Sequence, residues 1–199
     1  MPRPTCPQCR TPLARCFCDL VVATHSEVEV IIWQHPSEAG HAKGTVPLLS
    51  RCLKNSQLII AETLSLREFE QSVGSNCRQL SLLFPRSEAD RTTLSDDSDA
   101  AASSLRLLVL DGTWRKARKL LYLNPWLHTL PRLELVDTPT SRYHIRKAEN
   151  SQQLSTLEAV CAAIAQIEKS SKNSQPLLEA FDRYLTRLSL PYQKRPNSP

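Results

Sequence analysis

The stretch LRLLVLDGTWRKARKLL, residues 105–121, decides how this chain is read. Its first six positions are apolar apart from Arg106, as in a strand buried on both faces. The run stops at a carboxylate, Asp111. Gly112, Thr113 and Trp114 follow, and then apolar residues recur at helical spacing among basic ones. A buried strand that ends in an acid and passes directly into a helix is half of a β-α unit. Open parallel sheets bind ligands at the carboxyl ends of their strands, so Asp111 stands where a ligand-facing group belongs.

The same grammar extends in both directions. EVEVIIW (27–33), QLIIAE (57–62), QLSLLFP (79–85) and PRLELVD (131–137) read as strands. VPLLSRCLK (46–54) reads as a helix with Thr45 as its cap and Pro47 in the first turn. SLREFEQSV (65–73) is a helix closed by Gly74. TWRKARKLLYL (113–123), LSTLEAVCAAIAQIEK (154–169) and PLLEAFDRYLTRL (176–188) are amphipathic. In the second of these, Leu154, Leu157, Val160, Cys161, Ile164 and Ile167 form one stripe. Alternation of this kind predicts an α/β domain with a mostly parallel sheet flanked by helices. The polar, acidic segment 86–104, with Asp96, Asp97 and Asp99, reads as an excursion from that domain, and residues 191–199 as a disordered tail.

The 199 residues suffice for one cored domain, expected over 23–190, and a small attachment over 1–22. That attachment holds Cys6, Cys9, Cys16 and Cys18, four of seven cysteines. The C-x2-C-x6-C-x-C spacing in a chain expected to be cytoplasmic points to a closed, structural zinc site, not to disulfides. No apolar run approaches the roughly 20 residues of a membrane span, and the first residues lack a signal-peptide core. Only four glycines are present, and they form neither a dinucleotide fingerprint nor a P-loop.

Chemistry-bearing residues cluster at the predicted strand ends. Asp111 is either a helix cap or a group that accepts a proton or orients a substrate nitrogen. Trp114 falls with Ala117, Leu120 and Leu121 on one helix face, so the core is its expected place. HPSEAGHAKGT (35–45) offers His35, Glu38, His41 and Lys43, as a polar loop or, less simply, a metal site. Arg115, Lys116, Arg118 and Lys119 form a face that is either solvated or in contact with phosphate. SRYHIRK (141–147) adds Arg142, Arg146 and Lys147, with Tyr143 placed to stack on a base. The net charge of +5 is compatible with such a polyanion.

Taken together, CPQCRTPLARCFC, HPSEAGHAKGT, LVLDGTW and SRYHIRKAENSQQLSTLEA resemble the DTW-domain family, in that order and across nearly the whole chain. Asp111, Thr113 and Trp114 match the letters of its name. The resemblance implies a tRNA-uridine aminocarboxypropyltransferase. Such an enzyme moves the 3-amino-3-carboxypropyl group of S-adenosylmethionine to uridine N3, in bacterial members in the tRNA variable region. It also implies kinship with knotted SPOUT-type methyltransferases and a trefoil knot, which no pattern here reveals. On this reading Leu83, Pro85, Asp111, Gly112, Thr113, Trp114, Ser155 and Thr156 contact the cofactor. The start of the last-but-one helix would hold the methionine carboxylate. Asp111 is the first candidate for the base and His35 the second. Lys43, Arg115, Lys116, Arg118, Lys119, Arg142, Tyr143, Arg146 and Lys147 face the tRNA. The protein acts as a monomer or homodimer. The competing readings are an ordinary RNA methyltransferase and a non-catalytic zinc-ribbon RNA-binding module.

Overall fold

Five parallel strands form one sheet in the computed structural model, which describes residues 4–41, 43–74, 76–85, 101–136, 141–142 and 154–189. The strands are β1 (Glu29–Gln34), β2 (Ser56–Ile60), β3 (Gln79–Leu83), β4 (Leu105–Asp111) and β5 (Arg132–Leu133), in the order β2-β1-β4-β3-β5. The helices are α1 (Val46–Cys52), α2 (Leu66–Val73), α3 (Trp114–Leu123), α4 (Thr156–Ile167) and α5 (Gln175–Ser189). β4 lies at the centre and every one of its residues is buried. Its alternation divides the core. Leu105, Leu107 and Val109 face α1, α4 and α5, while Leu108 and Leu110 face α2 and α3. β1 divides in the same way, with Val30 and Ile32 on one side and Ile31 and Trp33 on the other. A strand covered on both faces has to be apolar throughout, which is why β4 shows no polar alternation.

Arg106 is the exception, and its register explains it. It sits opposite Glu29 in the β1–β4 ladder. Its guanidinium donates from Nε to Oε2 at 3.0 Å and from Nη2 to Oε1 at 2.9 Å. It also reaches the carbonyls of Val73 and Gly74, where α2 ends. Gly74 has φ of 73°, so the chain turns there in the region glycine favours. Burial acts to raise the Glu29 pKa, but the Arg106 and Asn76 hydrogen bonds outweigh it and hold the carboxyl below its usual value. A depressed folded-state value means that this stabilisation is present above the unfolded pKa. It fades as pH falls through the folded one. Glu29→Gln should cost about 3–5 kcal/mol, because it strands a buried guanidinium. A urea titration at neutral pH reads this, and a cost below about 1 kcal/mol would refute it.

Element boundaries shift by a few residues from expectation, and three departures bear on packing. β5 spans two residues, not seven. Beyond Leu133 the carbonyl of Glu134 and the N–H of Val136 bond the side chain of Gln166 on α4, so a helix, not a strand, satisfies them. Thr45 precedes α1 but makes no side-chain cap bond. The cysteine segment contributes to the core. Phe17 is fully buried and meets Tyr184 of α5 edge-on at 5.6 Å, and Leu20 joins the same core. Asp19 takes both Nη atoms of Arg187, at 2.6 and 2.8 Å. Most of the acidic segment (86–100) and the tail lie outside the described residues.

Candidate active site

All strands being parallel, the carboxyl ends of β1, β3, β4 and β5 share one edge of the sheet. Asp111 closes β4 and Gln34 closes β1, and the register sets them side by side. Gln34 Nε2 donates to Asp111 Oδ2 at 2.8 Å, and Thr156 Oγ1 donates to Oδ1 at 2.5 Å. The backbone N–H of His35 bonds the Asp111 carbonyl at 3.0 Å. Asp111 is therefore buried and engaged on both oxygens, tying β1 and β4 to the start of α4. Gly112 is needed for space, since a Cβ there would lie 3.0 Å from Lys116 Cβ. Thr113 caps α3 by accepting from the Lys116 N–H.

Beside Asp111 opens a cavity of about 330 Å³. Its walls include Leu83, Phe84 and Pro85 after β3, Gly112 and Trp114 after β4, and Thr156 on α4. Most of the lining is apolar. Trp114 is not a core residue, as its helical spacing suggested. It is 40% exposed and meets Phe84 edge-on at 5.7 Å, because α3 begins beyond the end of the sheet and its first residue overhangs the cavity. Leu83, Pro85, Gly112, Trp114 and Thr156 thus come together as lining residues. Asp111, Thr113 and Ser155 stand outside the lining.

The start of α4 is also occupied differently from expectation. Ser155 caps the helix by accepting from the Glu158 N–H, and Glu158 returns a bond to the Ser155 N–H at 2.8 Å. The same buried carboxylate takes the Ser141 hydroxyl and the Arg142 N–H. An anion already fills this helix terminus, so it is a poor seat for a substrate carboxylate. The S-x-x-E signature at 155–158 was legible and is a capping box. Gln34 and Glu134, a further lining residue, carried no signal of their own.

The four cysteines come together in space. The four Sγ atoms lie within 4.8 Å of one another, with Cys6 to Cys18 at 3.8 Å and Cys9 to Cys16 at 3.7 Å. A tetrahedron with metal–sulfur bonds of about 2.3 Å has edges of about 3.8 Å, so the set could hold a metal ion. Burial opposes ionisation of Cys9, yet the Thr11 hydroxyl and backbone donors bring it down to about 6. Burial and the neighbouring thiols push Cys18 up to about 12. Among the described residues no other group of three or more such ligands assembles, so the loop 35–45 makes no metal site.

Comparison with known proteins agrees with this layout. A profile of the DTW domain matches residues 3–189. The chain belongs to the DTW-domain family. Among curated proteins, this DTW chain is 30% identical over 183 residues to tRNA-uridine aminocarboxypropyltransferase 2 of Macaca fascicularis. It is 30% identical over 187 residues to the protein of that name from Mus musculus. Each match covers 88% of this chain and 60% of the relative. The Drosophila melanogaster protein of that name is 26% identical over 182 residues, 71% of its own length. The DTW chain thus spans about 60% of the length of the first two relatives. No solved structure matches it.

The remaining side chains of the DTW site are partly committed to one another. The Nδ1 atom of His35 accepts from the Ser37 N–H, which places the ring proton on Nε2, 3.0 Å from Glu62. Lys119 also reaches Glu62, at 2.5 Å; these two partners, Lys119 first, hold the Glu62 carboxyl below its usual range. Lys116 bonds buried Glu38 at 2.6 Å. Two of the four α3 cations are therefore tied to acids from the loops after β1 and β2, while Arg115 and Arg118 are exposed. Lys43 is exposed, and Arg142 meets Asp182 at 2.6 Å. Tyr143, Arg146 and Lys147 lie outside the described residues.

Proposed function

We propose that this DTW protein is a tRNA-uridine aminocarboxypropyltransferase that uses S-adenosylmethionine. The observation that carries the reading is the apolar cavity rimmed by the family's own residues, Gly112 and Trp114, with Asp111 bound against it. Its volume falls in the range of small-molecule sites. When bound, S-adenosylmethionine supplies an electrophilic carbon on its aminocarboxypropyl arm and a neutral leaving group, methylthioadenosine. The residues of the chain would then do three things. Leu83, Pro85, Gly112 and Trp114 would orient the donor and exclude water, presenting that carbon and covering the methyl. Asp111 would take the proton of uridine N3, which is a weak nucleophile until it loses it. His35 is the second candidate base, and would act only by exchanging Glu62 for the substrate. The cysteines would hold structural zinc, folding residues 1–22 onto the catalytic domain over 23–190.

The tRNA would lie over the exposed side of α3, with Arg115 and Arg118 on phosphates; Lys43, Lys116, Lys119, Arg142, Tyr143, Arg146 and Lys147 are the further candidates to contact it. Replacing Arg115 and Arg118 by alanine should weaken binding uniformly across tRNAs and make the salt slope shallower by about 2. An unchanged slope in a filter-binding titration would remove them from the interface. We further assign the sheet to the knotted SPOUT-type kin, with β3, β4 and β5 meeting at the cofactor. The cytoplasm is the compartment we propose, consistent with thiols kept for metal; no helix among the described residues is long and apolar enough to cross a membrane. A monomer or a homodimer would serve this site.

Mass spectrometry of an unmodified tRNA incubated with the protein and S-adenosylmethionine tests the reaction. An aminocarboxypropyl adduct with release of methylthioadenosine is expected. A methyl adduct would make it an RNA methyltransferase, and no adduct would leave an RNA-binding module.

A further inference from the structure

Asp111 is poorly placed to touch a substrate directly. It is 8% exposed and is absent from the lining of the cavity, whereas Thr156 lines it. The two are joined by the 2.5 Å bond in which the Thr156 hydroxyl donates to Asp111 Oδ1. A hydroxyl donating to a carboxylate makes a charge-assisted bond, stronger than a neutral one. Gln34 Nε2 holds the other carboxylate oxygen at 2.8 Å and so fixes which oxygen Thr156 meets. With its one proton committed to Asp111, the Thr156 oxygen can only accept from the cavity side. Thr156 begins α4, whose start is pinned by the capping box, so this geometry is rigid.

We infer that Thr156 is the group that meets the N3–H of the target uridine and relays its proton to Asp111; this rests on the transferase reading above. In one step the N3–H bond breaks and its proton passes to Thr156 Oγ1. The hydroxyl proton of Thr156 passes to Asp111 Oδ1. The N3 electron pair forms the new N3–C bond as the C–S bond of the donor breaks. Asp111 ends protonated and returns the proton to solvent after product release. The other titratable side chains on the surrounding elements have partners of their own. His35 faces Glu62, Glu38 faces Lys116, and Glu158 holds Ser141 and Arg142. Glu134, just after β5, is exposed and lines the cavity, which makes it the rival acceptor whatever contacts it keeps.

The test measures single-turnover adduct formation from pH 6 to 9 (approximately the span over which uridine N3 begins to ionise unaided) together with S-adenosylmethionine affinity by calorimetry. Thr156→Val removes the hydroxyl at nearly constant shape, and Thr156→Ser restores it. The relay predicts a loss of about 10²–10³-fold in Thr156→Val near neutral pH. The loss should narrow at high pH, with donor affinity within about twofold of wild type. Thr156→Ser should recover most of the rate. A proton inventory in H2O/D2O mixtures on the wild type needs no variant, and should curve as two protons in flight require. A pH-independent loss, a linear inventory, or a loss of donor affinity with the saturated rate intact would overturn the relay. So would a loss found in Glu134→Gln and absent from Thr156→Val. If the wild type itself forms no adduct on a competent tRNA, the transferase reading fails, which is a separate result.

Discussion

Asp111→Asn is expected to lower adduct formation by about 10²–10⁴-fold while the protein stays folded and binds S-adenosylmethionine. The separation of these effects follows from the local hydrogen bonds. An Asn oxygen at the Oδ1 position still accepts from Thr156, and Gln34 need only turn its amide over to accept from the new Asn NH2. Two charge-assisted bonds become neutral ones, a cost of about 1 kcal/mol each. In a chain of this size that lowers Tm by roughly 4–8 °C. The proton, however, has nowhere to go, because an amide does not accept one near neutral pH. Single-turnover rates beside a thermal melt measure both quantities. Near wild-type turnover with intact donor binding would end the role of Asp111 as proton acceptor.

If the four cysteines hold zinc as proposed, removing it should lower stability markedly. The four thiols cluster within residues 6–18, and this segment delivers Phe17 to the core against Tyr184 and Arg51. If the segment opens, the loss is at least that of a buried phenylalanine, about 3–5 kcal/mol. For a protein of this length that corresponds to a fall in Tm of roughly 10 °C. A strong chelator, or Cys6→Ser, should produce it, and elemental analysis should find one zinc per chain beforehand. Acid acts in the same direction, because protons compete with metal for the thiolates. Identical melts with and without chelator, in a preparation without zinc, would leave the four cysteines as ordinary thiols. Packing of Phe17 and Leu20 would then dock the segment, with the partly exposed Arg187–Asp19 pair adding little.

Much of this architecture was legible because it is written in local patterns. LRLLVLD spans the observed β4 residue for residue, since a strand buried on both faces is apolar apart from the paired Arg106, and its end is marked by a carboxylate followed by glycine. The capping boxes at Ser65 and Ser155 were equally local, four consecutive residues each, but went unread, while the expected cap at Thr45 makes no side-chain bond. Trp114 shows where such reading stops. Its spacing from Ala117 and Leu121 is that of a core stripe, but a helical wheel carries no information about where the sheet beneath it ends. The α3 cations show the same limit. Lys116 and Lys119 look like Arg115 and Arg118 in sequence, and differ only because Glu38 and Glu62 arrive from loops 78 and 57 residues away.

The α/β class, the clustering of the four cysteines and the strand end where Asp111 sits were all readable locally. Each of these depends on the properties and spacing of nearby residues. What Asp111 faces came only with packing. Gln34 and Thr156 lie 77 and 45 residues from it along the chain. They meet it because parallel register aligns the ends of β1 and β4 and because α4 packs back across that edge. Strand register and helix docking are set by the sum of many apolar contacts over the whole core, so no short stretch of sequence contains them.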